Sequence, residues 1–136
     1  MENNNSTEKS MKHKILIADD SELFREMLAE RLCAEPDMHV VGEVEDGVAA
    51  LEQTKMLQPE IVLLDMRMPK LNGIETARRL QTEHPGVKVI FLSSFSNREY
   101  VQAAKECGAA NYVQKIFLDK DLLPAIRSAA RKTANV

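Results

Sequence analysis

The sequence predicts an α/β fold in which five parallel strands form one sheet with helices on both faces. Strand and helix patterns alternate five times along the 136 residues, which is typical of βα units wound into a parallel sheet. Three of the strand patterns are apolar runs, as expected for strands that helices cover on both sides. The length fits a single compact domain.

Five short runs predict the strands, at residues 13–18, 39–45, 61–64, 87–92 and 109–114. The first, third and fourth are apolar and are expected at the centre of the sheet. The second and fifth are interrupted by Gly42, Glu43, Asn111 and Gln114, which favours edge positions. Three central strands favour the order 2-1-3-4-5, a doubly wound sheet of the flavodoxin-like type. Its topological switch point lies between strands 1 and 3.

Each strand is followed by apolar residues at helical spacing. They are Leu23, Met27, Leu28 and Leu32; Val48, Leu51 and Leu57; Ile74, Ala77 and Leu80; Val101, Ala104 and Cys107; and Leu122, Ile126, Ala129 and Ala130. Pro36, Pro85 and Gly108 mark the ends of the first, third and fourth helices. Pro124 indicates that the last helix either starts late, with Asp121 as its cap, or is kinked in its first turn.

Composition excludes several classes of protein. The net charge of −3 and the pI near 5.7 give no basic surface for nucleic acid. No apolar stretch approaches the roughly 18 residues of a membrane span, and the first ten residues lack the apolar region of a signal peptide. We expect a disordered tail at 1–11, one domain at 12–131 and a short tail at 132–136. Cys33 and Cys107 are expected to be free, buried thiols in a reducing cytoplasm.

Three carboxylates and one amine define the candidate site. Asp19 and Asp20, Asp65, and Lys115 each come where a predicted strand ends, at the sheet edge where α/β proteins bind ligands. Clustered carboxylates repel one another, and a hard cation relieves that repulsion. Mg²⁺ suits a few carboxylates plus water and phosphate, whereas Ca²⁺ needs more oxygen ligands than this segment supplies. Lys115 and the hydroxyl of Ser93 suit phosphate oxygens, and a carboxylate can form an acyl phosphate.

Each of these residues also has an ordinary structural interpretation. Asp19 or Asp20 alone is often only a helix N-cap, and Lys115 alone is more often a solvated lysine at a strand end. Asp65 is followed by a loop with a proline, Pro69, so a capping role is less suitable there. It is the conjunction of these residues at neighbouring strand ends that favours a phosphoryl and metal site.

In four segments the sequence closely resembles the receiver domain of two-component response regulators. The segments are ILIADD at 15–20, IVLLDMRMP at 61–69 followed by Asn72 and Gly73, VIFLS at 89–93, and GAANYVQK at 108–115. The resemblance covers residues 12–131. It implies that Asp65 accepts a phosphoryl group from a sensor histidine kinase or phosphotransfer protein. The domain would then catalyse only its own phosphorylation and dephosphorylation and would not be an enzyme for external substrates.

The same resemblance implies the remaining roles. Asp20 and Asp65 would bind Mg²⁺ directly, Asp19 largely through water, and Arg67 through its backbone carbonyl. Lys115 and Ser93 would contact the phosphoryl oxygens, and Ser93 and Tyr112 would form the switch. Ser93 stands where threonine is more frequent. Ile116 stands where proline is common, which leaves the isomer of the peptide bond after Lys115 open.

The output is open at this stage. Residues 21–25 and 38–43 resemble receivers that carry a helix-turn-helix DNA-binding domain, yet residues 132–136 leave no room for one. The first reading is therefore a phosphorelay protein that acts on a downstream protein partner or forms a homodimer. The alternative is the receiver part of a DNA-binding transcriptional regulator. A phosphohydrolase is disfavoured because Arg67 replaces the second aspartate that such enzymes use, and a nucleotide-binding module because no glycine-rich loop follows strand 1.

Overall fold

The structure, a computed structural model, describes residues 12–134 and contains the predicted sheet. Five parallel strands pair in the order β2-β1-β3-β4-β5. The strands are β1 (His13–Ala18), β2 (Met38–Val44), β3 (Ile61–Asp65), β4 (Lys88–Ser93) and β5 (Asn111–Gln114). The helices are α1 (Glu22–Cys33), α2 (Gly47–Leu57), α3 (Gly73–Glu83), α4 (Arg98–Glu106) and α5 (Leu118–Ala134), with a 3₁₀ turn at Lys115–Phe117 before α5.

Strand register brings the predicted site residues to one edge. Ala18 pairs with Leu64, so the residue after Ala18 and the residue after Leu64 lie side by side. Asp65 in turn pairs with Leu92. Ser93 then pairs with Gln114, the residue before Lys115. Four strand ends are therefore level, as a parallel sheet requires for a site on its carboxyl edge.

The core has two layers, one on each face of the sheet. Alternate residues of β1 divide between them: Ile15 and Ile17 pack with α1 and α5, whereas Leu16 and Ala18 pack with α2, α3 and α4. This alternation follows from the two-residue period of a strand. The interrupted strands β2 and β5 are the two edges, so the predicted edge positions are confirmed together with the strand order.

The structure corrects several details. In α1, Leu28 and Leu32 are buried, but Leu23 is 79% exposed and Met27 37%. Two of the four apolar residues that predicted this helix therefore face solvent. The cysteines are free, as expected, but Cys33 is exposed and only Cys107 is buried. The late start proposed for the last helix is wrong. It begins at Leu118 and contains Pro124.

The last helix runs to Ala134, past the domain boundary expected at residue 131, while the predicted tail at 1–11 lies outside the described residues. Every described peptide bond is trans, including the one after Lys115. Within the described part of the chain, no helix is both long and apolar enough to span a bilayer.

Candidate functional site

Asp19 is the most tightly held residue of the site. It is 1% exposed, and each of its polar atoms has a partner. Its backbone N–H donates to the Val44 carbonyl at 3.0 Å, and its carbonyl accepts from Arg25 Nη1 at 2.6 Å. Its Oδ1 accepts from the Ser21 N–H, and its Oδ2 from Lys115 Nζ, both at 2.8 Å. Asp19 is thus a fixed charge, and each carboxylate oxygen has already used one lone pair.

Asp20 completes a cluster of three carboxylates. It is exposed, and one oxygen each from Asp19, Asp20 and Asp65 lie within 4.8 Å of one another. The donor set contains only hard oxygens, which fits Mg²⁺. The exposed Asp20 is the carboxylate that a hydrated ion reaches first.

Asp65 is the carboxylate of the site whose pKa is raised. Burial, first, and then the negative charge of Asp19 raise the pKa of Asp65 to about 6, against the opposing effect of Lys115. Both causes act on the ionised form, since desolvation and a neighbouring like charge destabilise it. Asp65 is therefore ionised at neutral pH but in an environment that favours arrival of positive charge.

Lys115 supplies part of that charge. Its Nζ lies 2.8 Å from Asp19 Oδ2 and 3.5 Å from Asp65 Oδ1. It also lies 4.1 Å from the centre of the Phe24 ring, a cation–π contact. The ammonium group is thus held between the two buried carboxylates on one side and an aromatic face on the other.

Ser93 and Tyr112, the two predicted switch residues, both contact Phe95. Ser93 is fully buried, and its Oγ accepts a hydrogen bond from the Phe95 N–H at 3.0 Å. The Tyr112 hydroxyl donates to the Phe95 carbonyl at 2.6 Å, and burial raises the pKa of that hydroxyl. The Tyr112 ring is half-buried and packs against the core, because its hydroxyl finds an acceptor inside the β4–α4 loop.

The loop after β3 is fixed close to the site by a glycine. The Gly73 N–H donates to the Met66 carbonyl at 3.0 Å, and a Cβ at Gly73 would overlap the carbonyl oxygen of Asp65. Farther along, the Arg67 guanidinium lies 4.9 Å from the centre of the Phe95 ring. Phe95 stacks on Tyr100 with ring centres 5.0 Å apart. Arg67, Phe95 and Tyr100 therefore form one contiguous stack of side chains.

Comparison with known proteins decides the family. The model for the response regulator receiver domain matches residues 15–127. The chain belongs to this family. Among curated relatives, the receiver is 37% identical over 125 residues to the transcriptional regulatory protein DegU of Brevibacillus brevis, which covers 92% of this chain and 53% of DegU. It is 38% identical over 113 residues to the transcriptional regulatory protein LnrK of Bacillus subtilis, covering 83% and 51%.

Solved structures support the same assignment. The response regulator domain of Thermotoga maritima CheB is 29% identical to this receiver, with a TM-score of 0.79, and the match covers 92% of this chain and 98% of that one. The receiver spans about half the length of the curated relatives it matches. Its identity as a receiver domain of two-component response regulators is thus established by sequence and by fold.

The geometry brings together most of the residues that the sequence singled out. Asp19, Asp20, Asp65 and Lys115 form one cluster, and Ser93 ends the neighbouring strand. The Arg67 carbonyl as a metal ligand stays a prediction. Sequence reasoning missed two side chains that support the cluster, Phe24 and Arg25. Both were visible only as helix residues three and four positions after Ser21.

Proposed function

We propose that Asp65 accepts a phosphoryl group from a phosphohistidine donor, with Mg²⁺ bound by the three aspartates. The observation that carries the proposal is the position of Lys115, 3.5 Å from Asp65 and 2.8 Å from Asp19. An ammonium group held beside a buried carboxylate is suited to a phosphoryl group arriving on that carboxylate. The family assignment supports the same chemistry.

The chain's own groups account for the transfer step. An oxygen of ionised Asp65 attacks phosphorus as the P–N bond to the donor imidazole breaks. The donor ring keeps the bonding electron pair and takes up a proton, and Asp65 becomes a mixed anhydride. Lys115 and the Ser93 hydroxyl then donate to phosphoryl oxygens.

Mg²⁺ when bound supplies Lewis-acid stabilisation of the charge on the phosphoryl oxygens. Asp20 and Asp65 would hold it directly, the Arg67 carbonyl would complete the protein ligands, and Asp19 would act through water. The last assignment agrees with the partners that both Asp19 oxygens already have. Added positive charge would also stabilise the ionised form of Asp65, whose pKa is raised to about 6 by burial first and then by the charge of Asp19.

The donor is a sensor histidine kinase or phosphotransfer protein that docks beside Lys115. Four large apolar side chains are exposed on α1 and on the turn after β5: Leu23, Met27, Ile116 and Phe117, with exposures of 79, 37, 81 and 46%. These two segments are neighbours, since Lys115 contacts Phe24 and Arg31 pairs with Asp119. Apolar surface of this kind next to a reacting group suits a protein partner.

The output is a change in a protein-binding surface on α4 and β5. A groove of about 330 Å³ lies there, lined in part by Val101, Ala104 and Tyr112. Its occupant is a downstream protein or a second copy of the chain.

A second candidate function is the receiver part of a DNA-binding regulator. It is favoured by the relatives named transcriptional regulatory proteins, of which the chain spans about half. In both cases the receiver itself binds no nucleic acid and acts in the cytoplasm.

The receiver catalyses only its own phosphorylation and dephosphorylation. Supporting this, the residue two positions after Asp65 is Arg67, which lies against the Phe95 ring and offers no acid or base for a leaving group. Turnover of a generic phosphate ester would overturn this part of the proposal.

The test is incubation with acetyl phosphate and Mg²⁺ followed by intact-protein mass spectrometry. One phosphoryl group should be added, it should be removed by hydroxylamine, and Asp65→Ala should abolish it. Asp20→Ala should weaken Mg²⁺ binding and slow the reaction. Asp37→Asn, at the opposite end of the strands, is the matched control and should react as wild type. Label that persists on Asp65→Ala would refute the acceptor.

A further inference from the structure

Arg25, one turn into α1, reaches back to the end of β1. Its Nη1 donates to the backbone carbonyl of Asp19 at 2.6 Å. Its Nε lies 3.7 Å from a carboxylate oxygen of Glu43 on β2. The same Nε is buried without a hydrogen-bond partner. Among the described residues the Arg25 side chain therefore has one short polar contact, and that contact is to the backbone of the site.

The carbonyl oxygen of Asp19 belongs to the peptide group that leads to Asp20. The other polar atoms of Asp19 are held by Val44, Ser21 and Lys115. The contact from Ser21 closes a turn that contains the peptide between Asp19 and Asp20. The contact from Arg25 holds the carbonyl oxygen of the same peptide, so the two contacts together set the orientation of its plane.

We infer that Arg25 is a positioning residue for the phosphoacceptor site, which orients the Asp19–Asp20 peptide so that the Asp20 carboxylate joins Asp19 and Asp65. The inference rests on the proposed function for its metal readout. Residues that hold the ligands of a metal, without touching it, commonly change its affinity by about 10–100-fold when replaced. Arg25 holds the peptide before the proposed metal ligand Asp20 in this way, without itself binding the ion.

Stability alone does not account for an arginine at this position. The side chain is only 14% exposed, its Nε has no hydrogen bond, and the contact to Glu43 is longer than a hydrogen bond. A desolvated, incompletely paired guanidinium is a cost to folding. A methionine would cover the same apolar surface without that cost, so what an arginine adds here is its donor to Asp19.

The experiment compares Arg25→Met with Arg31→Met, a control in the same helix whose arginine pairs instead with the exposed Asp119. Mg²⁺ binding is measured by calorimetry on the full chain. We expect Arg25→Met to weaken Mg²⁺ about tenfold, Arg25→Lys to recover part of the loss because it keeps a donor, and Arg31→Met to bind as wild type. Arg25→Gln, which is polar but too short to reach the carbonyl, should match Arg25→Met and replaces it if that variant does not fold.

A second readout needs no metal. Hydrogen exchange of the Ser21 N–H, which donates to Asp19 Oδ1, should be faster in Arg25→Met than in wild type or in Arg31→Met. If wild type binds no Mg²⁺ while this exchange still accelerates, the proposed function fails and the positioning role stands. Wild-type Mg²⁺ affinity in Arg25→Met or Arg25→Gln, equal weakening in Arg31→Met, or unchanged exchange at Ser21 would overturn the inference.

Discussion

The hydroxyl of Tyr112 donates a 2.6 Å hydrogen bond to the backbone carbonyl of Phe95. The N–H of the same residue donates to Ser93 Oγ at 3.0 Å. The hydroxyl groups of Ser93 and Tyr112 are therefore connected through one residue of the β4–α4 loop. If Ser93 moves toward a phosphoryl group on Asp65, Phe95 must move or lose a hydrogen bond, and Tyr112 follows.

The first prediction concerns this connection. Ser93→Ala should still be phosphorylated at Asp65, because the nucleophile, the carboxylates and Lys115 remain. It should lose most of the phosphate-dependent change at Tyr112. Without the Ser93 hydroxyl, no group bonded to the Phe95 N–H can be drawn toward the phosphoryl group. The measurement is the NMR signal of the Tyr112 ring with and without beryllofluoride as a phosphate mimic. A shift of only a few kcal/mol between two states is enough to invert their populations.

Two variants sharpen that experiment. Tyr112→Phe removes the hydroxyl and should cost about 1 kcal/mol of stability without affecting phosphorylation. Lys115→Ala should impair both phosphorylation and the ring shift, because Lys115 contacts Asp65 directly. If Ser93→Ala gives the full wild-type shift at Tyr112, the coupling does not pass through this hydroxyl.

The second prediction concerns the lifetime of the phosphoryl group. Hydrolysis needs a water in line behind phosphorus, near the residues two positions after Asp65 and Ser93. These are Arg67 and Phe95, whose side chains lie against each other and offer no carboxylate or amide to orient a water. The replacement of both, Arg67→Asn with Phe95→Glu, should therefore accelerate loss of phosphate, measured as decay of the phosphorylated mass.

Arg79→Asn with Tyr100→Phe is the control for that double variant. Arg79 is exposed on α3, and the Tyr100 change keeps the ring that stacks on Phe95. This control should decay at the wild-type rate. An unchanged rate in the Arg67 and Phe95 double variant would show that these side chains do not limit access of water.

The fold and the charged centre were predictable because both follow from strand order. A strand that ends at Asp65 beside one that ends at Ala18 places Asp19 next to Asp65 in any parallel sheet of this order. The supporting side chains were not predictable. Whether Phe24 or Leu23 faces the sheet depends on how α1 lies across it. Both residues are apolar and adjacent, so the sequence pattern does not show which of them is buried. Phe24 contacts Lys115, whereas Leu23 is 79% exposed.

The same limit applies to backbone contacts. The hydrogen bonds of Arg25 to Asp19 and of Tyr112 to Phe95 join side chains to carbonyl groups, which every residue has. No pattern of residue types marks such an acceptor. For that reason neither of these two contacts was predictable from the sequence.

The third prediction concerns Gly73, where α3 begins. A Cβ there would overlap the Asp65 carbonyl oxygen and press on the Met66 backbone, so Gly73→Ala must displace the loop after β3. We expect a loss of about 1–3 kcal/mol in the free energy of unfolding and slower phosphorylation of Asp65. At Gly86 a Cβ has nothing within 4 Å, so Gly86→Ala should be neutral or slightly stabilising. Equal effects of the two variants in urea unfolding would contradict this.

The last prediction concerns the pH dependence of stability without metal. The pKa of Asp65 is raised from 3.8 to about 6 in the folded protein. The folded state then binds this proton more strongly than the unfolded state, so the stability linked to it is present below pH 3.8 and is lost as the pH rises through about 6. Asp65→Asn has no such loss. At pH 7 to 8 with a chelator it should therefore be more stable than wild type, by at most about 3 kcal/mol, and the difference should vanish near pH 4.

Asp37→Asn provides a control of opposite sign. The hydrogen bond from Arg127 lowers the pKa of Asp37, so its contribution to stability is present above the unfolded pKa of 3.8 and is lost as the pH falls through the folded value. Asp37→Asn should be less stable than wild type at neutral pH and approach it in acid. Urea unfolding from pH 2.5 to 8 measures both variants, because the Asp37 effect changes only below its unfolded pKa of 3.8. Added Mg²⁺ should stabilise wild type and close its gap to Asp65→Asn, because the ion stabilises the ionised carboxylate that burial and the charge of Asp19 destabilise. If Asp65→Asn is no more stable than wild type at pH 7 without Mg²⁺, the ionised Asp65 carboxylate does not destabilise the folded protein.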